Sequence, residues 1–119
     1  HKAKVNNNKK FKVWGTGKPL REFLYVDDLS KAINHLIKKN LNPDLVNVGS
    51  GDEITIGNLV KKISNIVNYD GEIVFDETKP DGNPRKLLDS SKINSLGWES
   101  KVSLDEGLNL TYKWFNNNF

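Results

Sequence analysis

Residues 13–28 read VWGTGKPLREFLYVDD, and this stretch carries most of the information about the fold. Apolar and polar side chains alternate over Phe11–Trp14, which predicts a short strand that ends where the glycine-rich turn begins. A second strand is predicted at Glu22–Val26, so that the two strands would form a hairpin with a long loop. Asp27 and Asp28 follow and predict a helix start, since Asp caps helix N-termini and favours the positive end of the dipole.

The rest of the chain alternates helix and strand patterns. The first helix is predicted to run through about Lys39, with Asn40, Asn42 and Pro43 ending it. The later elements are predicted as a strand at 45–48, a helix beginning at Thr55, a strand at 72–75, a helix from Asp89 through Leu96, and a helix from Ser103 through about Phe115. This alternation over 119 residues predicts one small α/β domain, with two short strands in front and a parallel pair behind.

Composition excludes several functional classes. The chain has 18 basic and 15 acidic side chains, no Cys and no Met. Much of the excess of positive charge lies within residues 2–12, and no basic stripe interleaved with aromatic residues follows, so nucleic-acid binding is not favoured. Without Cys there is no disulfide framework, and no apolar run approaches the ~20 residues of a membrane helix. The missing Met leads us to expect a segment of a longer protein.

Signatures of catalysis and of metal binding are missing. The two histidines, His1 and His35, do not form a zinc-binding pattern. The glycine turns at 15–17 and 49–51 lack the residues that complete a phosphate-binding loop or a dinucleotide fingerprint. We therefore expect no catalytic residue, no cofactor-binding residue and no metal ligand in this chain.

Residues 79–89, KPDGNPRKLLD, form the most distinctive loop of the sequence. Proline fixes φ and glycine frees it, which favours an ordered, tightly turning loop over a flexible linker. Arg and Lys on such a loop suit a phosphorylated ligand, because the guanidinium fork matches pairs of phosphate oxygens. The alternative is a solvated basic turn that joins a strand to a helix.

These motifs resemble a known family. Residues 13–28 are similar to the segment that opens the substrate domain of extended short-chain dehydrogenases acting on nucleotide sugars. Residues 47–51 followed by Thr55 and Ile56 are typical of the same group. The loop at 79–89, with Leu96-Gly97-Trp98 after it, narrows the resemblance to the GDP-L-fucose synthase family.

The resemblance implies an enzyme that converts GDP-4-keto-6-deoxy-D-mannose to GDP-L-fucose by epimerisation and NADPH-dependent reduction. In that family an amino-terminal Rossmann domain carries the cofactor site and the catalytic Ser, Tyr and Lys. No Tyr of this chain is followed four residues later by Lys, and the catalytic group has no counterpart. Residues 1–119 are therefore expected to be the carboxy-terminal substrate-binding domain, inactive alone, of a cytoplasmic homodimer.

The resemblance also implies four substrate-binding residues. Trp14 matches a substrate-contacting tryptophan, whose ring can pack on a sugar or base, and Arg21 matches an arginine suited to the diphosphate. Asp81 matches a third position, where a carboxylate accepts hydrogen bonds from hydroxyls, and Arg85 is a further candidate for the diphosphate. The alternatives are hairpin packing for Trp14, a surface position for Arg21 and turn formation for Asp81. Tyr25 stands where many relatives have His and is expected to be structural.

Two other functions fit the same residues. The chain could be the substrate domain of another nucleotide-sugar epimerase, dehydratase or reductase, since residues 13–28 are shared across that superfamily. It could also be a non-catalytic nucleotide-sugar-binding or interaction module that retains this fold. The loop at 79–89 argues against the other nucleotide-sugar enzymes. The module stays open, and a Gly-rich strand–turn–helix with a Tyr-x-x-x-Lys upstream of this segment would favour the enzyme.

Overall fold

The structure, a computed structural model, describes residues 1–39 and 45–119. The described helices are α1 Lys2–Val5, α2 Val26–Lys38, α3 Ile56–Val67, α4 Ser91–Ser95 and α5 Leu104–Asn118. The described strands are β1 Lys10–Trp14, β2 Leu20–Glu22, β3 Glu53–Thr55, β4 Glu72–Asp76 and β5 Arg85–Lys86. The predicted α/β class is confirmed. The residues predicted to end α2, Asn40, Asn42 and Pro43, lie outside the described residues.

The strands form two small sheets, and two segments of chain connect one sheet to the other. β1 and β4 pair in parallel, from Lys10 opposite Glu72 to Trp14 opposite Asp76. β2 is the middle strand of the other sheet and pairs antiparallel with β3 and parallel with β5. The loop that joins β1 to β2 and the loop that joins β4 to β5 therefore run side by side from one sheet to the other.

The predicted hairpin is wrong. β1 pairs with β4 instead of with the next strand, and β2 lies in the other sheet and ends at Glu22. Gly15 and Gly17 both have left-handed backbone, with φ of +81° and +74°. These turns lead the chain from β1 into β2, which lies in the other sheet. Val26, predicted to be in a strand, already begins α2.

The predicted strand at 45–48 is also absent from the structure, which assigns no regular element there. Val46 and Val48 instead pack against the buried cluster of Ala32, Ile93 and Trp98. A short apolar run has the same sequence pattern whether it enters a sheet or lies along a core, so the pattern alone does not distinguish the two.

Local capping signals were more informative. The Thr55 hydroxyl accepts a hydrogen bond from the Asn58 amide at 3.2 Å and begins α3, as predicted. The Ser103 hydroxyl does the same for α5 by accepting from the Glu106 amide at 3.3 Å. None of the described helices is both long enough and apolar enough to cross a membrane.

Neither Asp27 nor Asp28 caps α2 as predicted, because the helix begins at Val26 with Tyr25 as its N-cap and both acids lie in its first turn. The Asp28 carboxylate is turned inward and is only 1% exposed. One carboxylate oxygen accepts the backbone amides of Lys101 and Val102, both at 2.7 Å, and Lys31 Nζ lies 3.3 Å from the other. Burial by itself would raise the pKa of Asp28, but these donors outweigh burial and hold the pKa below its usual value of 3.8. The ionised side chain thus fastens α2 to the segment that leads into α5.

We expect Asp28→Ala to lower the free energy of unfolding at pH 7 by about 2 kcal/mol, because two backbone amides lose a charged acceptor. The pKa of Asp28 is lower in the folded than in the unfolded chain, so the contribution is present above about pH 4 and is lost as pH falls through the folded pKa. The difference between wild type and variant should therefore shrink towards pH 3 in urea unfolding. Asp27→Ala, at the exposed neighbour, is the control. Equal losses for both variants would contradict this role.

Candidate functional site

The candidate site lies where β1 and β4 end. Because these strands are parallel, their carboxyl ends meet at the same edge of the sheet, and both following loops begin there. The Asp76 carbonyl accepts hydrogen bonds from the Gly15 amide at 2.9 Å and from the Lys79 amide at 3.1 Å. At the other end of the loops, the Leu20 amide donates to the Pro84 carbonyl at 2.9 Å. Residues 15–19 and 77–84 are thereby held against each other at both ends.

Trp14 ends β1 at this edge and is 71% exposed. The ammonium group of Lys79 lies 5.9 Å from the centroid of the Trp14 ring, within the range of a cation–π contact. The hairpin that would have buried the indole is absent, so hairpin packing does not explain this residue. The structure instead offers an aromatic face and a cation to solvent at the same place.

Asp81 joins the two loops. Its two carboxylate oxygens accept hydrogen bonds from the amide and the hydroxyl of Thr16, each at 2.6 Å. The Thr16 hydroxyl, then its amide, lower the pKa of Asp81, burial opposes them, and the charge of Lys18 adds to the lowering. Asp81 therefore stays ionised while both of its oxygens are engaged.

Arg21 lies on β2, beside the second part of the loop at residues 77–84. Its Nη1 donates to the carbonyl of Leu20 at 2.7 Å, which holds the guanidinium close to the backbone. A Cβ added at Gly82 would lie 4.0 Å from the Arg21 Nη2, so the guanidinium faces the loop at its glycine. Arg21 is half-buried and is therefore more constrained than a free surface arginine.

Arg85 is held differently from the other three predicted residues. Its Nε lies 2.8 and 2.9 Å from the two carboxylate oxygens of Glu53, and its Nη2 lies 2.6 Å from one of them. This hydrogen-bonded pair raises the pKa of Arg85 and, by the same contacts against a smaller effect of burial, lowers the pKa of Glu53. The structure thus brings Trp14 and Asp81 together through the turn at residues 15–16, and it ties Arg85 across the other sheet to β3.

Glu22, next to Arg21 on β2, joins remote segments of the chain in a way that sequence reasoning missed. One of its carboxylate oxygens accepts from the Gly51 amide at 2.6 Å, and the other accepts from the Leu88 amide at 3.2 Å. A Cβ at Gly49 would lie 2.4 Å from the same carboxylate, so the 49–51 turn fits closely against it. The sequence shows Glu22 as an acid beside Arg21 in a short strand, and it does not indicate that Gly51 and Leu88 are the partners of Glu22.

Thr16 was missed for the same reason, because its partner Asp81 is 65 residues away.

In the part of the chain that the structure describes, no three His, Asp or Glu side chains are grouped so that they could hold a metal ion.

Comparisons with known proteins agree with these motifs. Residues 2–49 match the NAD dependent epimerase/dehydratase family. The chain is 52% identical over 118 residues to GDP-L-fucose synthase 1 of Arabidopsis thaliana, and the match covers 99% of this chain and 36% of that protein. It is 44% identical over 127 residues to the GDP-L-fucose synthase of Escherichia coli, with 99% of this chain and 40% of the relative covered. The predicted resemblance to GDP-L-fucose synthases is confirmed.

The fold agrees as well. The crystal structure of a GDP-L-fucose synthetase from Naegleria fowleri bound to NADP matches with a TM-score of 0.88 at 29% identity, and the match covers 98% of this chain and 37% of that one. The chain thus has the fold of one part of an extended short-chain dehydrogenase. It spans 36 to 40% of the length of the GDP-L-fucose synthases from Arabidopsis and Escherichia coli.

Gly15 offers a test of how the loops are joined. A Cβ at this position would lie 2.2 Å from the Asp81 carboxylate, and the φ of +81° adds strain of about 1 kcal/mol for any L side chain. We expect Gly15→Ala to push Asp81 away, so that the Thr16 amide loses its protection from hydrogen exchange. Gly51→Ala is the matched control, because Gly51 has a φ of +82° with nothing within 4 Å of its added Cβ. Loss of Thr16 protection in both variants would show backbone strain instead of the clash.

Proposed function

We propose that this chain is the substrate-binding portion of a GDP-L-fucose synthase. That enzyme converts GDP-4-keto-6-deoxy-D-mannose to GDP-L-fucose by epimerisation and NADPH-dependent reduction. The observation that carries the proposal is the side-by-side placement of residues 15–19 and 77–84. This placement joins Asp81 to the turn that follows Trp14 and sets Gly82 against the Arg21 guanidinium, although Trp14 and Asp81 are 67 residues apart, from 14 to 81.

The proposed diphosphate site is formed by Arg21 and the loop it faces. A guanidinium presents paired N–H groups that match the oxygens of a diphosphate, and the bond to the Leu20 carbonyl fixes its direction. Lys79 brings a second cation to the same surface. We include Arg85 as an outer ligand, which binds the diphosphate through the Nη1 group that its pairing with Glu53 does not use.

The exposed indole of Trp14 provides the proposed stacking surface for the hexose or the base. Aromatic faces bind sugar rings through their C–H groups and bases through their π-systems, and 71% exposure leaves the ring accessible. Asp81 lies next to it as an ionised acceptor with its pKa held low, so at neutral pH it can accept bonds from ligand hydroxyls through remaining lone pairs.

Binding at this surface would serve catalysis by positioning. Holding the nucleotide end of the substrate fixes the ketohexose relative to the catalytic groups and to NADPH, which supplies the hydride and which we assign to the rest of the enzyme. Correct orientation of bound reactants contributes several kcal/mol to lowering a barrier, so remote diphosphate contacts affect turnover as well as affinity. We further propose that the complete enzyme is a cytoplasmic homodimer, from the family resemblance.

The first test is an amide-resolved NMR titration of this chain with GDP, with UDP as the control for the base. We expect shifts at Trp14, Arg21 and residues 79–86, stronger with GDP than with UDP. Shifts of equal size with both nucleotides would favour a different nucleotide-sugar enzyme. A spectrum that GDP leaves unchanged would contradict the proposed surface.

Arg21→Ala tests the diphosphate assignment in the intact enzyme. We expect kcat/KM for the GDP-sugar to fall at least tenfold, or about 1.4 kcal/mol of transition-state stabilisation, because the guanidinium contact is lost. Arg21→Lys should recover part of the loss, since an ammonium keeps the charge but not the fork. Lys113→Ala, an exposed cation on α5, is the control. Unchanged kinetics in Arg21→Ala would remove this residue from the site.

A further inference from the structure

The contact between Thr16 and Asp81 bridges the two loops of the site. Thr16 lies on the turn after β1, and Asp81 lies on the loop after β4. The carboxylate takes both the amide and the hydroxyl of Thr16, each at 2.6 Å, in a paired geometry with one donor for each oxygen. We call this pair of hydrogen bonds the Thr16–Asp81 clasp.

The turn around the clasp is built to hold it. The Thr16 hydroxyl accepts the Lys18 amide at 3.2 Å, which leaves its proton directed to Asp81. Gly15 adopts a φ of +81° and leaves the space that the carboxylate occupies, because a Cβ there would come within 2.2 Å of it. Three consecutive features of the turn therefore fit one carboxylate: the glycine, the amide and the oriented hydroxyl.

The clasp lies between the groups that the proposed function assigns to the ligand. Trp14 is two residues before Thr16, and Lys79, whose ammonium lies 5.9 Å from the indole centroid, is two residues before Asp81. Gly82, which follows Asp81, faces the Arg21 guanidinium. Movement of Asp81 away from Thr16 would shift the loop relative to both the aromatic face and the arginine.

We propose that Thr16 is a positioning residue, whose hydrogen bonds to Asp81 hold residues 77–84 against the turn that follows Trp14 before the substrate binds. This inference rests on the proposed function. It also assigns Asp81 a structural task beside its predicted contact with the substrate. Ordering the loop in advance removes the entropic cost of ordering it during binding, so the clasp strengthens binding without a ligand contact of its own.

The test compares Thr16→Val, which removes the hydroxyl while keeping the branched shape, with Thr16→Ser, which keeps the hydroxyl. Thr78→Val is the matched control. The Thr78 hydroxyl and amide donate to the Asp76 carboxylate at 2.6 and 3.3 Å, but this contact joins the end of β4 to its own following loop and does not bridge two loops. Each variant of the 119-residue chain would be measured by NMR without ligand and in a GDP titration.

In the ligand-free spectra, we expect Thr16→Val to raise the pKa of Asp81 towards its ordinary value and to shift the Trp14 indole and Lys79 signals. Thr16→Ser should leave all three near wild type. Thr78→Val should raise the pKa of Asp76, whose lowering comes first from the Thr78 hydroxyl, and leave the pKa of Asp81 unchanged. A Trp14 signal that does not respond to Thr16→Val would overturn the clasp as a positioning contact.

In the titration, we expect the GDP dissociation constant to rise about fivefold in Thr16→Val, the equivalent of one lost hydrogen bond, and to stay within about twofold in Thr16→Ser and Thr78→Val. Wild-type affinity in Thr16→Val would overturn the inference and leave the proposed function intact. Absence of GDP binding in the wild type would contradict the proposed function, and the ligand-free spectra would then decide whether the clasp orders the loop.

Discussion

Because β1 and β4 pair in parallel, the chain leaves both strands at the same edge and continues as two adjacent loops. The loop after β1 leads into β2 and the loop after β4 leads into β5. These two strands also pair in parallel, with Leu20 opposite Arg85 and Arg21 opposite Lys86. Each loop is therefore fixed at its start and at its end. The candidate site follows from this arrangement, since Trp14 ends the first strand and Arg21 lies on the second.

Side-chain carboxylates then join the loops and turns that the strand pairing brings close together. Asp28 takes two backbone amides next to α5, Glu22 joins the 49–51 turn to Leu88, and Asp81 takes the amide and hydroxyl of Thr16. Short strands leave many loop amides without partners in a sheet, and such amides need an acceptor. An ionised acceptor forms stronger bonds than a carbonyl, so a few acids can order long loops in a chain whose buried cluster of Ala32, Ile93 and Trp98 is small.

The sequence predicts the local part of this structure and not the remote part. The caps at Thr55 and Ser103 are formed by residues three positions apart, and both were predicted. The hairpin failed because alternation marks a strand without naming its partner, and the partner of β1 is about 60 residues away. Asp28 was predicted as a cap for the same reason, because the backbone amides that donate to it, those of Lys101 and Val102, cannot be identified from local sequence.

The predicted site shows the same division. Family motifs selected Trp14, Arg21 and Asp81. In the structure Asp81 bonds the turn that follows Trp14, and Gly82 faces the Arg21 guanidinium, but the motifs carry no information on what holds these side chains in place. The supporting residues, Thr16 and Glu22, come from positions whose role depends on a remote partner. In the proposed enzyme these supports matter for turnover, because a substrate-binding portion contributes to the reaction through the direction in which it holds the substrate. When the nucleotide end of the substrate is held in one position, the hexose joined to it is held in position as well. A loop that is ordered before binding fixes this position more closely than a loop that the ligand must order.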